Sequence, residues 1–482
     1  MRFPSFLNGS YQSQSLTVDQ EDLINWYVER TESPGATSDA ALYPTPGVST
    51  WSTPGVLGSG RGLFSLQYKG NERCFGVVGV TFYEFYDGLD PVDRGTVASD
   101  SNPVSIVSNG DAGGQIFISS GDNGYNFDLE TNTLTNPLTS GVTKVGISYG
   151  YFVAFDAAAS SGRISDLFDG TTWDPTQDFS RSIGPDPWLG MHITPYGYIC
   201  LPGRSSGEFW YNAGTFPFPF APDPSGLFSW GIAAPFSIAQ VGSSVMWLGR
   251  APAGGNQVVS ATGFAPQRVS TPAIAHQIHQ YSRVDDAIGQ SYTEDGHTFF
   301  LLTFPSANIT LCLDVSTGLW HKRGTWISSK ARYASWEPVF HTFAFDKHLM
   351  MKRETGVVYQ VSNAFPLDVD DRPIRRLRRT PALVDEHKRL MVPECEILLE
   401  PGLGVSSGQG SDPLVMLRVS DDGGRTFGTE RTSSAGPQGQ YQKRVVWWKL
   451  GQARNRVFEV VVTDPIVNWR IVDAYLTIER AA

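Results

Sequence analysis

Between residues 62 and 365 the chain repeats one hydropathic unit: an alternating or wholly apolar run, a Gly, Asp or Asn turn, a second run, then a closing aromatic residue. Residues 73–86 (R-C-F-G-V-V-G-V-T-F-Y-E-F-Y), 115–129 (Q-I-F-I-S-S-G-D-N-G-Y-N-F-D-L) and 297–304 (H-T-F-F-L-L-T-F) leading into 309–320 (I-T-L-C-L-D-V-S-T-G-L-W) all carry it. A period of two broken by turn residues predicts β-hairpins. Asp-led turn signatures begin at Asp122, Asp169, Asp295 and Asp422. The last two intervals are nearly equal and correspond to about three units of roughly 42 residues, the length of a four-stranded propeller blade. Blades stack radially and bury each other's faces, which explains strands apolar on both sides. The fold class expected is all-β: a β-propeller with an additional C-terminal β-sheet domain and an N-terminal arm. A β-sandwich would use the same hairpins and stays open as the alternative.

Both ends break the repeat. Residues 1–55 read as an arm and assembly segment, with one short helix expected at residues 21–29 and a turn-rich stretch at 45–55 (T-P-G-V-S-T-W-S-T-P-G). The propeller is assigned to 56–365, so removing residues 1–50 is expected to stop assembly and leave it folded. Residues 366–389 form a charged connector, where an acid cluster precedes five arginines. Residues 390–482 return to strands and are assigned as a β domain for ring assembly. In the strand at 444–450 (R-V-V-W-W-K-L), Trp447 and Trp448 must point to opposite faces, so this sheet is expected to meet a second layer or a neighbouring subunit.

Composition narrows the class. Fifty Gly and 31 Pro beside 13 Trp, 18 Tyr and 28 Phe fit many short strands joined by tight turns. A formal net charge of −11 opposes a surface built to grip nucleic acid, although a wall along which DNA slides is compatible with it. Cys74, Cys200, Cys312 and Cys395 lie far apart in apolar contexts and read as buried thiols. The opening M-R-F-P-S-F-L-N-G-S lacks the pattern of a signal peptide, and the most apolar window, 230–248, contains Pro235, Gln240 and Gly242. No membrane span and synthesis in the host cytoplasm are the expectations.

Candidate chemistry is sparse. His276 and His279 have helical metal spacing without an acidic third ligand, and Asp285-Asp286 and Asp370-Asp371 are adjacent pairs that diverge on a strand. No phosphate loop, nucleophile elbow or zinc helix motif occurs, so no enzyme activity, catalytic residue, metal or cofactor is assigned. The run at 372–380 (R-P-I-R-R-L-R-R-T) places Arg375, Arg376, Arg378 and Arg379 together. A solvated linker, an acidic protein partner and DNA phosphate all suit it. Asp422, Gly423 and Gly424 in 420–427 (S-D-D-G-G-R-T-F) form a structural turn, with Phe427 expected to open the return strand with its ring buried. Residues 216–222 (F-P-F-P-F-A-P) form a stiff aromatic loop suited to docking.

Two terminal segments carry a family resemblance. Gly9-Ser10-Tyr11, Asp19, residues 24–29 (I-N-W-Y-V-E) and 41–47 (A-L-Y-P-T-P-G), together with 418–427, 443–451 (K-R-V-V-W-W-K-L-G), 453–458 and Asp464-Pro465, resemble the ends of short-tailed bacteriophage tail-hub proteins, also called packaged-DNA stabilisation proteins. That resemblance implies a structural virion protein of the phage tail. It implies a homo-hexameric hub or nozzle below the portal-adaptor ring that retains packaged DNA and forms the conduit for its ejection. The implied partners are that adaptor ring, tail fibre or spike proteins, a tail needle or plug, and double-stranded DNA in transit. Asn25, Trp26, Tyr27, the four arginines, Trp447 and Trp448 are the corresponding assembly candidates. Two other readings share the pattern. A sialidase-like propeller glycoside hydrolase resembles the 420–427 hairpin, and a receptor- or fibre-docking tail protein would use the aromatic loop.

Overall fold

The computed structural model describes residues 1–33, 36–180, 184, 186–216, 218–386 and 388–480. Among them, seven small antiparallel sheets surround one axis. Six follow in chain order at residues 60–96, 105–138, 144–180, 192–222, 231–268 and 288–327. The seventh is built from Pro338–Ala344, Lys347–Lys352 and Val358–Ser362, and takes its outer strand, Gly47–Ser52, from the other end of the chain. The first strand of the first blade touches the first strands of blades two and seven, which closes the ring.

The hairpin pattern explains these blades. Ser120 pairs directly with Asn123, and Glu294 with His297, so each connection is a two-residue turn. Gly121 and Asp122, and likewise Asp295 and Gly296, take the positive φ such turns demand. The first of these turns sits one residue earlier than the Asp-Asn-Gly signature implied. Aromatic rings interlock at the blade boundary: Phe75 stacks on Phe82 at 5.4 Å within blade one, and Phe127 of blade two meets Phe82 edge-on at 5.3 Å. All three are fully buried, each contributing about 1.5–3 kcal/mol.

A β-sandwich adjoins blade six. Its first sheet continues that blade outward: Leu319–Ile327 is followed by Gln20–Ile24, Arg376–Arg379, Val457–Val462, Leu414–Ser420 and Arg431–Ser434. The join between Leu319–Ile327 and Gln20–Ile24 is parallel. Its second sheet runs Trp26–Arg30, Ala40–Pro44, Ile471–Arg480, Leu390–Leu399 and Val445–Trp448. Between the sheets lie Leu23, Trp26, Leu42, Val415, Trp447, Phe458, Val460 and Leu476.

Two expectations change here. Residues 21–29 form strands Gln20–Ile24 and Trp26–Arg30 rather than a helix. Apolar residues in that segment fill cores on both sides, and Asn25, at φ 58°, breaks the helical path between the two strands. Nor do residues 1–55 stand apart as an arm. Four of their strands, Tyr11–Gln12 among them, belong to the sandwich sheets and Gly47–Ser52 belongs to the propeller, so a truncation through residue 50 removes most of the clasp of blade seven. The connector likewise contains an integral sandwich strand, Arg376–Arg379. His387 within it, Pro34 and Gly35 in the N-terminal segment and Ala481 and Ala482 in the C-terminal domain lie outside the described residues.

Candidate assembly surfaces

Asn25 is where the N-terminal segment meets blade six and the connector. Its left-handed backbone lets one strand enter the first sandwich sheet and the next enter the second. The side-chain amide donates to the carbonyls of Gly324 (2.8 Å) and Arg375 (2.9 Å), while its oxygen accepts from the Gly324 amide at 2.9 Å. Asn tolerates this conformation and supplies both hydrogen-bond senses. Trp26 then enters the sandwich core, and Tyr27 turns towards blade six, its ring 4.9 Å from His297 and 5.3 Å from Phe299. All three residues are buried within the chain, so an outward assembly role for Asn25, Trp26 and Tyr27 is corrected to an internal joint.

The arginine run is corrected in the same way. Arg376 and Arg378 are buried, and strand Arg376–Arg379 lies between Gln20–Ile24 and Val457–Val462. Arg378 donates to the carbonyls of Phe6 (2.7 Å) and Ser5 (2.6 Å) and to the Glu21 carboxylate (2.6 Å). Arg376 donates to the Thr45 carbonyl at 3.4 Å, with no acid partner among the described residues, and burial brings its guanidinium down to about 10. Arg379 and Arg418 both pair with Glu459, which is completely buried, and both lie over the Phe427 ring, at 4.9 and 5.2 Å. Arg375 packs on Trp326 at 4.4 Å. A guanidinium buried with its partners is withdrawn from DNA phosphate and from another protein's acids. The run stitches domains together. Sequence reading missed Glu459, Arg418 and Gln20 because their meeting depends on strand order.

In residues 420–427 the carboxylate of Asp422 accepts from the Arg425 amide (2.9 Å), the Thr426 amide (3.0 Å), the Thr426 hydroxyl (2.6 Å) and the Ser420 hydroxyl (2.7 Å). These bonds, those from Thr426 foremost, hold the acid well below the usual carboxylate range. Gly423 and Gly424 take φ of 76° and 78°. A Cβ on Gly424 would meet Gln20 Oε1 at 1.5 Å, so this turn packs directly on the N-terminal strand. Phe427 does not open the return strand. That strand starts at Arg431, and the ring is half-buried under the two guanidiniums.

The tryptophan pair divides as its alternation requires. Trp447 is 3% exposed and donates its indole N–H to the Arg431 carbonyl at 2.9 Å, whereas Trp448 is 54% exposed. Their strand ends its sheet. Tyr441 is also exposed on this domain. On the propeller, Phe216 stands 95% exposed, while Phe220 is buried and Phe218 packs on Phe179. One ring of that loop is therefore presented outward, and Pro217 beside it lies outside the described residues.

Other sequence candidates are local. His276 lies beside Gln280, at 2.9 Å, on helix Pro272–His279, which Thr271 caps. No group of three His, Cys, Asp or Glu among the described residues could hold a metal ion. The four cysteines are free and buried, and no described helix is long and apolar enough to cross a membrane.

Models of two domain families match the chain. One, described as bacteriophage P22 Gp10, beta-propeller, matches residues 1–365, and the other, bacteriophage P22 Gp10, beta-sandwich, matches residues 375–470. No curated protein matches. Among solved structures, virginiamycin B lyase from Staphylococcus aureus has 8% identity and a TM-score of 0.43, covering 66% of this chain and 98% of its own. An exo-beta-1,3-galactanase from Phanerochaete chrysosporium has 9% identity and a TM-score of 0.30, covering 90% of this chain and 100% of its own. Likenesses this low carry no argument about activity.

Proposed function

Because the chain belongs to the bacteriophage P22 Gp10 family, and is thus a phage structural protein, we propose that it forms a hexameric tail hub or nozzle below the portal-adaptor ring. There it retains packaged DNA and, with its neighbours, encloses the path of ejection. The observation that carries this reading is the pair of family matches, which together take in propeller and sandwich.

Physical features support it. Each propeller's own axis is narrowed by side chains, with Phe236 lining three cavities near it. A conduit for a duplex must therefore be enclosed by several subunits rather than by one. A cyclic ring needs heterologous contacts, for which exposed aromatic residues on a sheet edge are suitable. Trp448 and Tyr441 provide them on the sandwich. The net charge of −11 suits a wall that DNA passes without adhering.

Phe216 favours an additional role in fibre docking, since a large ring 95% exposed on a proline-flanked loop is ready to bury against a partner. Tail-protein contacts with the adaptor and with a needle or plug belong to the same proposal, as does residence in the virion tail after synthesis in the host cytoplasm. Native mass measurement of the purified protein, alone and with the adaptor ring, tests it. A hexamer in either condition is expected, and a chain that stays monomeric in both would overturn the hub reading.

A further inference from the structure

Along the propeller axis lies a half-open cavity of about 510 Å³ lined by the inner strands of the blades. Its one ammonium group is that of Lys144, at the start of strand Lys144–Ser148 in blade three. Lys144 is 8% exposed, and no hydrogen bond or ion pair to it occurs among the described residues. Its nearest compensation is the Phe236 ring, 5.2 Å from the nitrogen to the centroid. No Asp or Glu is among the described residues that line the cavity. Arg378, by contrast, is buried with Glu21 as its partner.

A second unsatisfied group faces the same space. Gln290, on the first strand of blade six, lines the cavity with both amide atoms buried and without a partner. His192 is engaged with Gln240 at 3.1 Å, and His341 with His348 at 3.1 Å. Burial keeps both cavity histidines neutral near pH 7, His192 at about 4 and His341 at about 3, so neither adds a positive charge beside the lysine. Burial likewise brings Lys144 down to about 7 in the absence of a counter-charge.

A buried ammonium and an unpaired amide lining one largely apolar cavity, with no acid among its described lining residues, lack an anion. We propose that the propeller channel is a binding site for a small oxyanion, with Lys144 supplying the charge and Gln290 an N–H donor. The volume admits such an ion with several waters. The Phe236 ring beside the lysine gives the ammonium a cation–π contact and no counter-ion. This site is independent of the hub reading, because its logic is internal to one propeller.

The probes are inorganic phosphate and acetate, titrated calorimetrically into the full chain at constant ionic strength, with wild type and Lys144→Met compared. Saturable binding of phosphate or of acetate by wild type and a loss of at least about tenfold in affinity in the variant are expected. Lys144→Met should melt no lower than wild type in buffer free of these anions, since it removes an unpaired buried charge. Equal binding by the two proteins, or no binding of either anion by wild type, would overturn the proposal. Should the variant fail to fold, bromide soaked into wild-type crystals decides: an anomalous peak beside Lys144 supports the site and its absence rejects it.

Discussion

Arg378 donates from Nη2 to Oε1 of Glu21 at 2.6 Å, and both side chains are buried where the N-terminal strand meets the strand entering the sandwich. The same guanidinium holds the carbonyls of Ser5 and Phe6. Burial pushes the Glu21 carboxyl up even though Arg378 pulls it down, so the pair is not a source of large net gain. Losing one partner is another matter. Arg378→Met leaves Glu21 without its cation, though still accepting from the Asn8 amide, removes the donor to two carbonyls, and is expected to cost ~3–5 kcal/mol. Chemical denaturation followed by tryptophan fluorescence measures this, and an unchanged midpoint would show that the arginine does not pin the N-terminus.

Closure of the propeller depends on Gly47, the first residue of the clasp strand. A Cβ there would lie 2.2 Å from the Phe365 carbonyl oxygen and 2.6 Å from that of Leu367. Both obstacles are backbone, so no side-chain rotation relieves them. Gly47→Ala is expected to cost ~2 kcal/mol or more by forcing the strand away from Val358–Ser362. Hydrogen exchange should show faster exchange in the amides of that strand pair than in blades two or three. Uniform exchange rates across the propeller would reject the clasp as its weak point.

The architecture was legible where the signal was local. Two-residue turns such as Asp295-Gly296, the alternation in 73–86 and the two faces of Trp447-Trp448 all arise from neighbours in sequence. The errors came where sequence distance hid contact. Residues 21–29 looked helical because a run apolar on every side fits a buried strand as well as a helix, and only the sheets on either side of Asn25 decide. The arginines from 375 to 379 looked like a surface charge run because Glu21 and Glu459, which neutralise two of them, lie about 357 and 80 positions away. The closing strand of blade seven was assigned to an arm because nothing in Gly47–Ser52 names its partner.

A pH dependence is expected at the joint between blade six and the sandwich. Protonated His297 donates from both ring nitrogens, to Asp314 at 2.8 Å and to Glu29. The hydrogen bond to Asp314 first, and the one to Glu29 after it, raise the imidazole to about 9 from its ordinary 6.5. A group whose folded pKa is raised favours the folded state fully below its unfolded value and loses that contribution as pH rises through the folded one. Stability should therefore fall by ~1–2 kcal/mol between about pH 6.5 and 9. Replacing His297 by Gln should flatten that limb. Denaturation midpoints of wild type and variant across this window give the check, and parallel curves would remove His297 as the cause.

Trp447 and Trp448 separate folding from assembly within two adjacent residues. Trp447 is in the sandwich core beside Cys395, so Trp447→Ser opens a large cavity and orphans the Arg431 carbonyl. A loss of ~3–5 kcal/mol is expected, read as a lower melting temperature. Trp448 makes no such contribution, because more than half of its surface faces solvent in the single chain. Trp448→Ser should leave melting of the monomer unchanged within ~0.5 kcal/mol. If this ring enters a neighbour's surface, its loss should weaken ring formation by ~30-fold or more, as for a central aromatic contact worth about 2 kcal/mol. Sedimentation of the two variants at matched concentrations tells the roles apart. Assembly by Trp448→Ser at the wild-type concentration would place the subunit contact elsewhere, with Tyr441 the next exposed aromatic residue of the same domain to replace.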